Sequence, residues 1–246
     1  MARLKIDYGI DLGTTNSGIA RIEEGKSKML EIDRSEVVPS AVHYDRKDNP
    51  KVGITALAVD SYLEFKRDMG KEKLRDYPDA KRQDESLITP ETLSSEVLKK
   101  LSERVNDEVF KAVAVTVPAM FEIGQIEATK RAAKMSGFKH VEILMEPVAA
   151  ATAYAMNNIG KNGKWVVFDF GGGTFDASII SVDEGIMKVE ASEGDNRLGG
   201  GDLDRAIINN IMLPKIKEQF KIDDLSEDQL KGINRSLKKA ADEIKI

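Results

Sequence analysis

The sequence contains no cysteine and only two histidines among its 246 residues. The lack of cysteine excludes a disulfide scaffold, a thiolate metal site and a cysteine nucleophile. His43 and His140 lie far apart and lack the short spacing of a zinc-binding pair. The sequence therefore offers no basis for thiol, disulfide or histidine–zinc chemistry.

Long apolar runs and an excess of basic charge are also missing. No run of about 18 uncharged apolar residues occurs, so no transmembrane helix is predicted, and the first residues lack the apolar core of a signal peptide. The chain has 37 lysines and arginines against 42 aspartates and glutamates, a formal net charge of −5. This balance argues against nucleic acid or an anionic membrane as the main partner. We expect a cytoplasmic protein that binds neither.

The composition is that of an ordinary globular protein, with 41% apolar and 32% charged residues. The length suits one large domain or two modest lobes. A turn-rich stretch at 157–163, with Gly160, Asn162 and Gly163, is the best candidate for a boundary. We expect a first lobe over 1–163, with a small subdomain at about 38–87, and a second lobe over 164–246.

Hydrophobic patterning predicts alternating strands and helices, which indicates the α/β class. Strands are predicted to end at Asp11 and to span 17–22, 29–32, 112–117, 141–145, 165–168, 175–182 and 186–191. Helices are predicted over 89–109, after Pro118 to 135, and over 148–156, 202–212 and 225–246, with Asp202 as the N-cap of the fourth. Between residues 64 and 85, fourteen of twenty-two side chains are charged, so we interpret that stretch as a solvated surface without a catalytic role.

An internal repeat relates the two halves of the sequence. Residues Tyr8–Gly13 match Val166–Gly171 at an offset of 158 residues. Each copy continues into a returning strand, an acidic turn that ends in glycine (Gly25 or Gly185) and a third strand. We interpret this as a duplication whose matching turns face each other across a cleft.

The repeated turns carry chemistry suited to a metal-bound nucleotide. Each has an aspartate, Asp11 or Asp169, at the end of an apolar strand, followed by small residues whose backbone N–H groups can bind phosphate. Glycine lets phosphate approach the backbone closely, and carboxylates with water are the ligands that Mg²⁺ prefers. The alternative is a pair of tight hairpins in which glycine only allows the turn. The paired repeat favours the binding site.

Six short motifs give the sequence a specific resemblance. They are Ile10–Ser17, Val38–Ser40, Val115–Ala119, Glu146–Ala151, Phe168–Asp176 and Leu198–Gly200. In this order they resemble the N-terminal nucleotide-binding (ATPase) domain of the heat shock protein 70 (DnaK-type) chaperones. The resemblance implies an actin-like/ribonuclease H-like ATPase fold with two duplicated βββαβα-type lobes. The second lobe is incomplete here, because the family's domain runs considerably further.

The resemblance also implies a site that binds ATP or ADP with Mg²⁺. The implied catalytic residues are Asp11, Glu146, Asp169 and Asp176. Of these, Asp11 and Asp169 hold the metal, mainly through water, while Glu146 and Asp176 arrange water around the γ-phosphate. The implied nucleotide-binding residues are Gly13, Thr14, Thr15, Asn16, Gly171, Gly172, Gly173, Thr174, Gly199, Gly200, Asp242 and Lys245.

Two positions depart from the family pattern and indicate a divergent member. The family has an active-site lysine in a Val-Gly-x-x-Ala-Lys stretch, where this sequence ends in Leu57. The family also has an arginine that relays nucleotide state eight residues after the proline of Val-Pro-Ala, where this sequence has Ile126. Since leucine cannot stabilise transition-state charge, we expect slow ATP hydrolysis. The alternative is that another cation, Lys66 or Arg67, replaces the lysine.

The expected function is therefore an ATPase domain that controls a peptide-binding domain. The implied partners are that C-terminal domain and its unfolded client peptides, with a J-domain co-chaperone and a nucleotide exchange factor. Two alternatives remain at this point. One is a sugar or small-molecule kinase of the same superfamily, and the other is a non-catalytic nucleotide-binding or filament-forming module.

Overall fold

The computed structural model describes residues 6–105, 112–157, 162–220 and 224–245 and has a mixed α/β architecture. The strands are β1 Tyr8–Leu12, β2 Asn16–Glu23, β3 Lys26–Met29, β4 Val38–Pro39, β5 Val42–Tyr44, β6 Pro50–Val52, β7 Ala112–Val117, β8 His140–Met145, β9 Gly163–Phe170, β10 Phe175–Asp183 and β11 Ile186–Asp195. The helices are α1 Ile54–Leu57, α2 Pro90–Ser102, α3 Ile123–Met135, α4 Glu146–Asn157, α5 Gly200–Ile207, α6 Leu213–Gln219 and α7 Glu227–Lys245, with a 3₁₀ turn at Phe65–Asp68 and a π-helical turn at Ile208–Met212. Among the helices of these residues, none combines the length and the hydropathy needed to cross a bilayer.

The larger sheet has the strand order β3-β2-β1-β7-β8, with β4 paired to β2. Strand β1 is antiparallel to β2 and parallel to β7, and β7 is parallel to β8, so the sheet is mixed. Strand β7, which lies between β1 and β8, is almost wholly apolar, as expected for a strand covered on both faces. The main core forms where strand residues such as Ile10 and Val115 meet Leu93 and Leu98 of α2 and Ala132 of α3.

Helix α2 begins where the sequence predicts and ends earlier. Thr89 is the N-cap and Pro90 is the first helical residue. The predicted end near 109 is wrong, because the helix ends at Ser102, whose hydroxyl donates to the Lys99 carbonyl at 2.7 Å. The next backbone bonds, such as Val105 N–H to Ser102 O at 3.0 Å, span three residues and close a turn in place of another helical turn.

The smaller sheet is an antiparallel meander with the order β11-β10-β9. Both repeats therefore begin with three antiparallel strands, β1–β3 and β9–β11. One face of the smaller sheet packs on α4, where Ile180 and Val182 contact Ala151. The other face exposes Val166 and Phe168 of β9. Most of the predicted boundary at 157–163 lies outside the described residues.

The structure corrects two interpretations of charged residues. The charged stretch at 64–85 is not uniformly solvated, because Lys66, Arg67 and Asp68 are buried between Phe65 and Met69. Buried charges are tolerated when they are paired, and these side chains have partners that the sequence pattern does not reveal. Asp202 is also not the N-cap of its helix.

Helix α5 instead begins at Gly200, after the N-cap residue Gly199. The side chain of Asp202 reaches back to accept a hydrogen bond from the Gly199 N–H at 2.9 Å. A carboxylate in the first turn of a helix stabilises the N–H groups that have no partner within the helix, as an N-cap side chain would.

Candidate functional site

A large cleft of about 1620 Å³ lies between the two repeated turns. It is lined by Asp11 and 13–16 from the first turn, by Asp169, Gly171, Gly172 and Thr174 from the second, and by Lys66, Glu146, Gly200 and Asp242 from other elements. The predicted residues outside this lining include Gly173, which lies in the second turn and contacts Thr14; Gly199, which lies against that turn; and Asp176. The structure therefore gathers most of the residues named from the sequence at one opening.

The two turns touch each other directly. A Cβ atom added to Gly172 would lie 2.7 Å from Thr15 Cβ, and one added to Gly173 would lie 2.9 Å from Thr14 Cβ. Both distances are far shorter than a van der Waals contact. Glycine is thus required at these positions because the opposite turn occupies the space of a side chain.

The first turn is held in place by Ser40, which follows the short strand β4. The Ser40 hydroxyl donates to the Gly13 carbonyl at 2.7 Å and lies 2.8 Å from the Ser17 hydroxyl. The Ser40 N–H donates to the Thr15 carbonyl at 2.8 Å. These bonds occupy the carbonyl groups of the turn with protein partners, which is the role of the Val38–Ser40 motif.

The second turn is supported from behind by the start of α5. The Gly171 N–H donates to the Thr174 carbonyl at 2.9 Å, which closes the turn. The N–H groups of Gly200 and Gly201 donate to the carbonyls of Gly171 and Gly172 at 3.0 and 2.9 Å. The Leu198–Gly200 motif therefore shapes the second turn, and Gly200 also reaches the cleft.

Three carboxylates converge on the cleft. Burial chiefly raises the pKa of Asp169, and the negative charge of Asp11 raises it further. Burial also raises the pKa of Glu146; Lys66 opposes this rise, and the charges of Asp11 and Asp169 add to it. Asp11 is oriented by the Thr116 hydroxyl, which donates to Asp11 Oδ1 at 3.0 Å. The cleft therefore concentrates negative charge that a cation would neutralise.

The carboxylate oxygens in the cleft suit Mg²⁺, which keeps water ligands, better than a metal ion that is coordinated only by protein side chains. Within the described residues, no group of three or more histidine or carboxylate side chains is arranged to hold a metal ion. Asp11 and Asp169 face each other as two oxygen donors, and the turns beside them can accept phosphate. Mg²⁺ typically uses one or two carboxylates, water and substrate phosphates, so these residues match its preferences.

Lys66, which the sequence offers with Arg67 only as an alternative cation, lies in the cleft. Its ammonium donates to Glu146 Oε1 at 2.7 Å, and its side chain is only 4% exposed. Leu57 also lines the cleft and is 40% exposed. The alternative in which another side chain supplies the cation therefore fits the structure, and slow hydrolysis stays a prediction. The signal in the sequence that could have indicated a buried turn was the pair of apolar residues, Phe65 and Met69, on either side of three charged residues.

Asp176 has an unusual environment. Its side chain is buried, and neither carboxylate oxygen forms a well-aligned hydrogen bond with the described residues. Burial raises its pKa, and the nearby Ala119 backbone N–H opposes part of the rise. A buried acceptor without a partner is costly, which makes a bound ligand or an ordered water its natural partner.

Two further predicted positions lie on helices. Asp242 lines the cleft from α7, and Lys245 is the last residue of that helix. Ile126 lies on α3, where it packs against the apolar cluster of Met69 and Phe121. An apolar residue suits this location, and no arginine is available there to relay charge.

Comparison with known proteins gives a consistent relationship. Residues 7–246 match the family model described as "Hsp70 protein". The chaperone protein DnaK of Ureaplasma parvum serovar 3 is 39% identical over 257 residues, which covers 98% of this chain and 40% of the relative. The chaperone protein HscA homolog of Acinetobacter baumannii is 35% identical over 249 residues, covering 91% and 39%. The DnaK of Thermus thermophilus is 40% identical over 228 residues, covering 82% and 37%. The chain thus spans about two fifths of the length of these relatives.

Proposed function

The chain belongs to the Hsp70 family, and we propose that it binds and hydrolyses ATP as the regulatory part of a molecular chaperone. One observation carries this proposal: the two glycine turns meet at a cleft that also contains Asp11, Asp169 and the buried Lys66. Backbone N–H groups, paired carboxylates and a cation are the groups that phosphoryl transfer needs. The actin-like ATPase fold that the family implies agrees with the mixed sheet.

Each turn has a separate role in the proposed site. The N–H groups of Gly13–Asn16 and Gly172–Thr174 bind the phosphates, while the Gly171 N–H closes its turn by donating to the Thr174 carbonyl. Asp11 and Asp169 hold Mg²⁺, mainly through its water ligands; the ion would neutralise phosphate charge when bound. Glu146 and Asp176 accept hydrogen bonds from the water that attacks the γ-phosphate.

Lys66 supplies the positive charge for the transferred phosphoryl group. Its bond to Glu146 keeps the ammonium beside the carboxylates, and its burial strengthens the field at the cleft. The prediction of slow hydrolysis rests on leucine in place of a cation at position 57. We therefore propose hydrolysis that depends on Lys66 and does not depend on position 57.

The adenosine would lie towards α7. We propose that Asp242 and Lys245 contribute to this side of the site, as the family resemblance implies. We also propose that Ile126 alters the relay of nucleotide state, because an apolar side chain in a packed cluster cannot exchange ion-pair partners.

The two-lobe organisation also remains a proposal, with a first lobe over 1–163, its subdomain at about 38–87, and an incomplete second lobe over 164–246. The exposed outer face of β9 supports the proposal that the second lobe is incomplete. Phe168 is 72% exposed and Val166 63% exposed, although both lie on a sheet whose other face is packed. Further polypeptide would cover such a face. Hydrogen exchange on the full-length protein tests whether further polypeptide also pairs with β9, an edge strand of the smaller sheet. Rapid exchange of the β9 amides that do not face β10 would contradict it.

The DnaK and HscA relatives are named as chaperone proteins, and the partners proposed here are those that the family resemblance implies. These are a C-terminal peptide-binding domain, unfolded client peptides, a J-domain co-chaperone and a nucleotide exchange factor. Location in the cytoplasm stays a prediction. Within the described residues, no feature supports the kinase or the filament alternative.

Calorimetric titration of the full-length protein with Mg-ATP and Mg-ADP tests the proposal. We expect Asp169→Asn to weaken binding in the presence of Mg²⁺ and to change it little in EDTA. Glu184→Gln is the matched control, since it removes one negative charge from an exposed turn of the same sheet. Equal affinities of wild type and Asp169→Asn with Mg²⁺ would contradict the assignment.

A further inference from the structure

Four charged side chains form a closed ring at the rim of the cleft, here called the ion-pair ring: Glu64, Arg67, Asp202 and Arg205. Arg205 Nη1 donates to Glu64 Oε1 at 2.8 Å, and its Nη2 donates to Asp202 Oδ1 at 2.5 Å. Arg67 Nη1 lies 3.1 Å from Glu64 Oε2 and 3.2 Å from Asp202 Oδ1, and Arg67 Nη2 also donates to Asp202. Each arginine thus bridges the same two carboxylates, and the charges of these four side chains cancel. The Lys238 ammonium of α7 lies 4.0 Å from Glu64 Oε1, at the outer limit of an ion pair.

The ring connects two distant parts of the chain across the cleft. Glu64 and Arg67 belong to the 3₁₀ turn at Phe65–Asp68 and its N-cap, while Asp202 and Arg205 belong to α5, more than 130 residues away. The Arg67 side chain is only 2% exposed, whereas that of Arg205 is 45% exposed. The ring therefore has a buried half around Arg67 and a half around Arg205 that water can reach.

The ring also rests on the second glycine turn. A Cβ atom added to Gly173 would lie 2.7 Å from Arg67 Nε, and one added to Gly201 would lie 2.9 Å from Glu64 Oε1. Asp202 accepts the Gly199 N–H at 2.9 Å, directly behind the same turn. An opening of the ring would thus free the second turn from the segment that carries Lys66.

Lys66 is held by a residue outside the ion-pair ring, so opening of the ring should affect nucleotide release and the chemical step differently. Its bond to Glu146 does not involve the ring. If the ring opens, the ammonium keeps its partner beside the phosphates, while the two sides of the cleft lose a direct connection. The ring should consequently affect how long a nucleotide stays more than how fast a bound nucleotide reacts.

We propose that the ion-pair ring is a latch that sets the rate of nucleotide release, with Glu64 and Arg205 as positioning residues. This inference rests on the proposed function, since the latch holds the nucleotide cleft closed. The exposed half of the ring opens first, because ion pairs in contact with water are weak and are screened by salt. The buried Arg67–Asp202 half retains the alignment of the second turn for reclosure.

The test is the release of fluorescent ADP from its Mg²⁺ complex with the full-length protein. We expect Arg205→Gln to speed release about fivefold to tenfold, Arg205→Lys to give an intermediate rate, and Glu64→Gln/Arg205→Gln to be no faster than the faster single variant. In single-turnover and steady-state assays, KM should rise and kcat should change little. Arg197→Gln is the control, since it removes an exposed arginine near the start of α5.

Salt gives an independent readout. Raising NaCl from about 0.05 M to about 0.5 M should speed release from the wild type more than from Arg205→Gln, whose latch is already broken. An unchanged release rate in Arg205→Gln with a lowered unfolding temperature would overturn the latch and leave a purely structural role. A wild type that binds no Mg-nucleotide would overturn the proposed function itself, and the latch with it.

Discussion

The Lys66 ammonium donates to Glu146 Oε1 at 2.7 Å, although the two residues lie 80 positions apart in the sequence. The lysine comes from a short 3₁₀ turn, and the glutamate is the first residue of α4, a helix that contacts strands of both sheets. This bond places one positive charge among the carboxylates of the cleft. Catalysis by the proposed site therefore depends on a contact between distant segments.

Removal of the Lys66 charge should slow the chemical step. We expect Lys66→Ala to lower the single-turnover rate of ATP hydrolysis about 10²–10³-fold, the usual effect of losing one preorganised electrostatic contact. Nucleotide affinity should fall much less, because the backbone N–H groups remain. Leu57→Lys is the matched comparison and should leave the rate within about twofold, because Lys66 already supplies the charge. A fast Lys66→Ala variant, or strong acceleration by Leu57→Lys, would contradict the assignment.

The Asp169 carboxylate should destabilise the nucleotide-free protein at neutral pH. Burial, and then the charge of Asp11, raise its pKa above the ordinary value near 3.8. The folded chain therefore keeps the proton at pH values where the unfolded chain has lost it, so the free energy of unfolding falls as pH rises above that value.

Asp169→Asn should remove this penalty. We expect the nucleotide-free variant to unfold about 2 °C higher than the wild type near neutral pH, a small gain because Asp169 is partly exposed and solvent screens its charge. The gain should shrink towards about pH 4, where the wild-type carboxyl is protonated more often. Calorimetric scans at both pH values, without metal, measure it. A variant that unfolds at a lower temperature than the wild type would contradict the prediction.

The contact between the two turns should make Gly172 intolerant of a side chain. In Gly172→Ala the new Cβ would lie 2.7 Å from Thr15 Cβ, so the turns must separate. We expect a loss of about 1–3 kcal/mol in stability and at least about tenfold weaker Mg-ADP binding. Chemical denaturation and calorimetry measure the two effects.

Gly124→Ala is the control for this substitution. Gly124 lies in α3, and nothing stands within 4 Å of its added Cβ, so alanine should stabilise the protein by about 0.5 kcal/mol. Equal behaviour of the two variants would show that the turns do not constrain each other.

The sequence allowed prediction of the parts of the site that repeat or that are encoded locally. Asp11 and Asp169 were found because the same strand and turn occur twice, and Thr89 with Pro90 gives a helix start that depends only on neighbouring residues. Lys66 was named only as an alternative cation, because a charged stretch looks solvated unless its distant partners are known. Glu146, Asp202 and Arg205, which partner the residues of this stretch, lie between 80 and 141 residues away. Composition contains no record of such pairs, so only the fold could reveal them.

The central claim is that both glycine turns bind the phosphates of one nucleotide. Hydrogen exchange of the full-length protein, followed at the backbone amides of 13–16 and 171–174 with and without Mg-ADP, tests it most directly. We predict slower exchange in both turns when Mg-ADP is bound, and no such change at the acidic hairpin tips around Gly25 and Gly185. Slower exchange in only one turn, or in neither, would contradict the account.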